Sequence, residues 1–255
     1  MNSPIARSVV RFFIPAWSDP TQRPGQADVR WQAITEGVGD QATWEQIRSH
    51  VSSRGLCLTN ESPDSSDALH QLLSPLAGAL AERYGGCSLS IQQEPVSIEI
   101  TPDQLWAYRI NRYVAAKPSS RDQLWKDEKA VPSGEPREDW EGVTARRIHN
   151  GLCRELAAWG IDLAADDALG DEPLLTVLQA GRPMPMPGLR GGLHVLARLG
   201  MVVAGHARVD GLLAAGKLAR LGFGWLERIP VPREIGAASA RRLARRVPDT
   251  MGDVL

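Results

Sequence analysis

Cysteine is scarce in this 255-residue chain, and Cys57, Cys87 and Cys153 are odd in number, widely spaced and without a CxxC pair. That excludes a disulfide framework and a zinc ribbon and points to a reducing, cytoplasmic setting. Long apolar runs are also missing. The run Val9 to Ile14 is broken by Arg11 and is too short for a signal-peptide core, and no stretch approaches the ~20 apolar residues of a membrane-spanning helix. Neither export nor membrane insertion is therefore expected. Among the histidines, His50, His70, His149, His194 and His206, no pair has metal-ligand spacing with a carboxylate, so no metal and no cofactor are assigned.

Net charge is nearly absent as well, at −1, but its distribution is uneven. From Arg182 onward there are 12 Lys+Arg against 5 Asp+Glu, leaving 17 against 25 in the first 181 residues. Clustered positive charge gains free energy by releasing counterions from a polyanion, so the C-terminal third reads as the part that meets phosphates. It contains the stretch Gly205 to Pro232, where Gly205, Gly211, Gly216, Gly222 and Gly224 surround Lys217 and Arg220 ahead of the strand-like Phe223 to Val231. Glycines let a backbone approach a bulky ligand, and the two cations offer charge to phosphate. The same spacing also fits a short amphipathic helix, Val209 to Leu221, with Leu212, Ala215 and Ala219 inward. Farther on, SARRLARRV (Ser239 to Val247) places Arg241, Arg242, Arg245 and Arg246 on one helical arc, where they repel one another unless an anion lies there.

In chain order, Arg7 to Ile14 reads as a strand ended by Pro15, and Pro15 to Asp40 as a large loop carrying Arg23 and Arg30. Gln41 to Ser53 reads as an amphipathic helix through Trp44, Ile47 and Val51, with His50 at its edge, and Asp67 to Tyr84 as a helix between Ser66 and Gly85, kinked at Pro75. Cys87 to Ile100 alternates like a hairpin, and Thr101 with Pro102 opens an expected helix buried through Trp106, Ile110 and Tyr113. Lys117 to Gly142 reads as a charged arm. Val143 to Trp159 reads as a helix that buries Ile148, Leu152, Leu156 and Trp159 and turns Arg146, Arg147 and Arg154 outward. Leu174 to Ala180 reads as a strand, Arg182 to Gly188 (RPMPMPG) as no regular element, and Leu193 to Val203 as one strand or as two meeting near Gly200.

The order of these parts and one motif resemble the CRISPR-associated repeat-processing endoribonucleases of the RAMP superfamily. The motif is a Gly, spacer, Gly-Lys/Arg, spacer, Gly-aromatic-Gly loop, here Gly211, Gly216-Lys217 and Gly222-Phe223-Gly224. The basic tail and the arm look most like the divergent nuclease of type IV systems. The resemblance implies an α+β fold of two tandem ferredoxin-like (RRM-like) domains, at 1–116 and 161–255, with an arm and helical insertion at 117–160. It implies cytoplasmic, metal-independent cleavage of precursor crRNA by 2′-hydroxyl attack, with CRISPR repeat RNA and other subunits of a CRISPR ribonucleoprotein as partners. The family's loop histidine is missing between Pro15 and Gly39, leaving His50 as the nearest candidate. Arginines that clamp non-bridging oxygens are then expected to carry catalysis: Arg23, Arg242 and Arg30. The RNA backbone falls to Gly211, Gly216, Lys217, Arg220, Gly222, Gly224, Arg241, Arg245 and Arg246, and the hairpin stem to Arg146 and Arg147. The same features fit a RAMP subunit that binds crRNA without cutting it, and the tryptophan-rich arm fits a protein scaffold.

Overall fold

A computed structural model describes residues 5–25, 28–114, 137–163, 173–187 and 194–235. The chain begins with β1 (Ala6–Phe13), followed by α1 (Asp28–Thr35), α2 (Gln41–Glu45), β2 (Ile47–Ser52), β3 (Gly55–Asn60), α3 (Ser66–Tyr84) and β4 (Ser88–Pro95). These strands make one antiparallel sheet in the order β2-β3-β1-β4. Its helix-facing side buries Val10, Phe12, Leu56 and Leu58 against Leu69, Leu72, Leu76 and Leu80 of α3. The expected α3 is present with Pro75 inside it, and Gly85 closes it in the left-handed conformation at φ 75°.

Three expectations in this half are corrected. The segment 15–40 is not simply a loop: it holds a 3-10 turn (Pro15–Ser18) and α1, which form because Trp17, Val29 and Ala33 dock into the core. Gln41 to Ser53 is not one helix. Asp40 caps the short α2 by accepting the Thr43 N–H at 2.7 Å, and the chain then straightens into β2. Ile47 and Val51 are four apart, a spacing that keeps one face in a strand as well as in a helix, so periodicity could not separate the two. Cys87 to Ile100 is not a hairpin either, since β4 pairs with β1 while β5 (Ser97–Ile100) pairs with a remote strand, Ala207–Asp210.

The second half is built on β6 (Trp106–Val114), α4 (Arg137–Ala157), β7 (Thr176–Gln179), β8 (Arg182–Pro187), β9 (His194–Gly205), β10 (Ala207–Asp210) and β11 (Leu226–Ile229). The order is β11-β6-β9-β7, with β8 also on β9. Taking β6, β7, β9 and β11 as first to fourth, this is the connectivity of the first sheet again. The expected helix from Thr101 is instead the central strand β6, because its β-favouring Trp, Tyr, Ile and Val residues pair along β9. RPMPMP is also a strand: Pro183, Pro185 and Pro187 alternate, so their missing N–H groups all fall on one side, which suits an edge strand. The described part of the expected Leu193 to Val203 is one continuous strand, β9, and α4 buries Ile148, Leu152 and Leu156, as expected. The helical reading of Val209 to Leu221 fails. After β10 the chain loops to a 3-10 turn (Ala219–Leu221) and then to β11, shorter than the expected Phe223 to Val231. The Ser239 to Val247 helix and most of the charged arm lie outside the described residues.

The two halves are joined by a buried ion cluster. Alternate residues of β1 point away from its helices, and at one end of that face Arg7 is fully buried. Its guanidinium donates to Glu155 of α4 at 2.8 Å and to the carbonyls of Gly211 and Leu212 at 3.0 and 2.9 Å, and lies 4.8 Å from the centre of the Trp159 ring. Arg48 of β2 pairs with the other Glu155 oxygen and, at 3.6 Å, with Glu61. Burial lowers the pKa of Arg7, and the Glu155 charge opposes that shift. Removing one partner of a buried pair leaves an uncompensated charge, so Glu155→Ala is expected to cost about 3–5 kcal/mol. A lowered urea midpoint with an unchanged slope checks this.

Candidate nucleic-acid interface

The other end of the same sheet face opens into a cleft of about 710 Å³ between the two halves. The register sets His50, Cys57, Arg11 and Ser90 side by side across β2, β3, β1 and β4, with Phe13 in the next row. Opposite them stand Asn111 and Arg112 from β6 and Trp225 and Glu227 from the β11 end. His50 stacks on Trp225, centroids 5.2 Å apart, and its Nδ1 lies 3.2 Å from the Gly222 carbonyl. A carbonyl can only accept, so Nδ1 carries the proton and Nε2 is the basic nitrogen. Burial, with the Arg112 charge adding to it, lowers the His50 pKa, against the pull of the Gly222 hydrogen bond and the Glu227 charge. The pKa of Arg112 is lowered too, by burial first and then by the charge of Arg23. Two guanidiniums thus sit close enough to repel, with no carboxylate paired to either among the described residues.

The glycine loop forms one wall of this cleft. Gly216 and Gly224 have φ of 98° and 78°, and their close approaches are to the protein itself. A Cβ on Gly216 would stand 2.9 Å from the Tyr113 ring and from the Val114 carbonyl, and one on Gly224 would collide with the Ala215 carbonyl. The loop is pinned by Gly224 N–H to Arg112 O at 2.9 Å, by Lys217 N–H to Val114 O at 2.8 Å, and by Arg7 on Gly211. Its glycines therefore shape a surface from which Lys217 and Arg220 project, both exposed.

No family model and no curated protein matches the sequence. Among solved structures, Csf5, a CRISPR-Cas type IV Cas6 crRNA endonuclease, superposes with a TM-score of 0.63 at 16% identity, over 88% of this chain and 100% of that one. The chain folds like a type IV Cas6. More distant are Cas6b (TM-score 0.49, 10% identity, 88% of this chain and 99% of that one) and Thermus thermophilus Cse3 bound to an RNA representing a pre-cleavage complex (0.40, 17%, 88% and 100%).

Within this Cas6-like frame the expected site residues separate into groups. Arg23 is half-buried and near enough to Arg112 for its charge to be felt there, although it is not itself among the residues that line the cleft. Arg30 is 7% exposed on α1, among the charges of Glu45, Arg220 and Glu61, and does not line the cleft. Arg220 is tied to Glu61 at 2.9 Å. Arg147 and Lys217 come together with Arg154, Asn150 and Tyr113 around a second recess of about 630 Å³, while Arg146 is exposed nearby on α4. Arg241, Arg242, Arg245 and Arg246 lie outside the described residues. The sequence does not single out Arg112 because β6 reads as a helix, and it places His50 at the edge of a helix because β2 does.

The pKa of His50 being lower folded than unfolded, the unfolded chain binds more protons between the two values, so stability falls as pH drops below about 6.5. An imidazole NMR titration of His50 is expected to give a midpoint below the free value, and His50→Gln is expected to flatten the acid limb of stability against pH.

Proposed function

We propose that the chain is a metal-independent endoribonuclease that binds a CRISPR repeat hairpin, cleaves precursor crRNA and stays on the product as part of a CRISPR ribonucleoprotein. The observation that carries this is the juxtaposition, in a fold like that of Csf5, of Arg112 and Arg23 without a paired carboxylate beside His50. Like charges held together are stabilised by an anion between them, and a phosphodiester is one. The two repeats of the βαββαβ strand order support reading the halves as ferredoxin-like domains, the second with its last helix replaced by the glycine loop.

The chemistry assigned to the cleft is as follows. His50 Nε2 takes the proton of a ribose 2′-hydroxyl, whose oxygen forms a bond to the adjacent phosphorus. The P–O5′ bond breaks with its electron pair on the 5′-oxygen, which takes a proton from solvent, leaving a 2′,3′-cyclic phosphate and a 5′-hydroxyl. Arg112 and Arg23 face the charge that builds on the non-bridging oxygens. A neutral histidine near pH 7 is the form a base needs, and its lowered pKa keeps it so. Lys217, Arg147 and Arg154, gathered around the second recess, are assigned to the hairpin stem, and Arg242 with its neighbours is assigned to the RNA from the sequence alone. Arg30 acts from behind, through Glu61 and Arg220.

The test is to incubate the protein with repeat-hairpin RNA in EDTA. One cut with a cyclic phosphate end is expected, slowed about 10²- to 10⁴-fold in His50→Ala and about as strongly in Arg112→Ala. Tight binding without a cut would replace this reading with a crRNA-binding subunit, and no affinity for RNA would end both.

A further inference from the structure

Phe13 is the last residue of β1 and is 53% exposed, although Val9, Val10 and Phe12 of the same strand are buried. It faces the cleft, and its cross-strand neighbours are Gly55 on β3 and Ser88 on β4. Both are small, so no neighbouring side chain covers the ring from across the ladder, and the next row holds Cys57 and Ser90 beside Arg11. The result is one aromatic face standing on a floor of small residues. A cost attends this arrangement: a bare phenylalanine in water forgoes the burial that stabilises its neighbours.

We infer that Phe13 is a stacking platform for a single unpaired nucleobase of the bound RNA, an inference that rests on the function proposed above. Stacking needs an open aromatic face and a backbone held nearby by cations. Arg54 and Arg112 line the same cleft, while Arg11 is held along β4 by Gln92 and Glu94, both at 2.7 Å. From the spacing of strands and of residues along them, Phe13 lies about 12 Å from His50, two strands across and two residues along. The base it takes is therefore not the one at the cut but one a nucleotide or two away, outside the paired stem. Stacking tolerates any base, so Phe13 fixes where unpaired RNA begins rather than which letter stands there. β3 offers no second aromatic on this face, its cleft residues being Gly55 and Cys57, so the platform takes one base.

The test uses 2′-O-methylated repeat-hairpin RNA, which cannot be cut by 2′-oxygen attack, with single abasic sites placed in turn along its unpaired flanks. Fluorescence anisotropy should show Phe13→Leu binding about 5- to 100-fold more weakly than wild type, and Phe13→Trp binding as well as wild type. One abasic position should cost the wild type the same factor and cost Phe13→Leu nothing, with thermal midpoints equal because the side chain is exposed. Normal affinity in Phe13→Leu, or abasic losses equal in both proteins, overturns the stacking while leaving the nuclease reading intact. No RNA affinity in the wild type overturns both.

Discussion

Glu155 holds this molecule together at the one place where a wrong residue would be felt everywhere. It is a carboxylate on α4, in the second half, gripped by Arg7 and Arg48 from two strands of the first half. Two arginines and one glutamate leave an excess positive charge in a dry place, which the Gly211 and Leu212 carbonyls and Glu61 help to satisfy. The same contacts fix the start of the glycine loop on Arg7 and its 3-10 turn on Glu61 through Arg220. Loop position, and with it the far wall of the cleft, thus follows from an ion cluster at the opposite end of one sheet face. That face has a closed end, built from Arg7, Val9 and Arg48, and an open end, built from Arg11, Phe13 and His50.

Much of the fold was legible where burial is one-sided. α3 and α4 show their period because one face meets a core and the other meets solvent, while β1, buried on both faces, stands out through its run of β-branched and aromatic residues. Legibility failed where both faces are covered or where partners are remote. β2 buries Ile47, Arg48, Ser49 and Val51, so its alternation is hidden, and the four-residue spacing that remains reads equally as helix. β6 is central in its sheet, and the Thr101-Pro102 ahead of it reads as a helix start. There Thr101 instead accepts the Trp106 indole N–H at 2.7 Å on its hydroxyl and donates its backbone N–H to the remote His206 carbonyl, also at 2.7 Å. β4 and β5 were recognised as strands, but no local pattern announces that their partners lie on different sheets.

The site was half legible for the same reason. The glycine spacing identified a loop, yet its glycines answer to Tyr113, Val114 and Ala215, contacts invisible before the sheet is assembled. Arg23 stands out for its place after β1, and its charge reaches Arg112, which lines the cleft. Its neighbour Arg112 is 89 positions away in the sequence, and only the pairing of β6 with β9 and β11 turns it inward. His50, the nearest histidine candidate in the sequence but placed there at a helix edge, faces the cleft because β2 is a strand.

The central claim is that RNA is cut between His50 and Arg112, and a structure of the wild-type protein with a repeat hairpin made uncuttable by removing one 2′-hydroxyl tests it most directly. The account predicts the C2′ of that nucleotide facing His50 Nε2, with the following phosphate on Arg112. A scissile phosphate seated in the recess of Arg147 and Lys217, or anywhere beyond reach of His50, would contradict it.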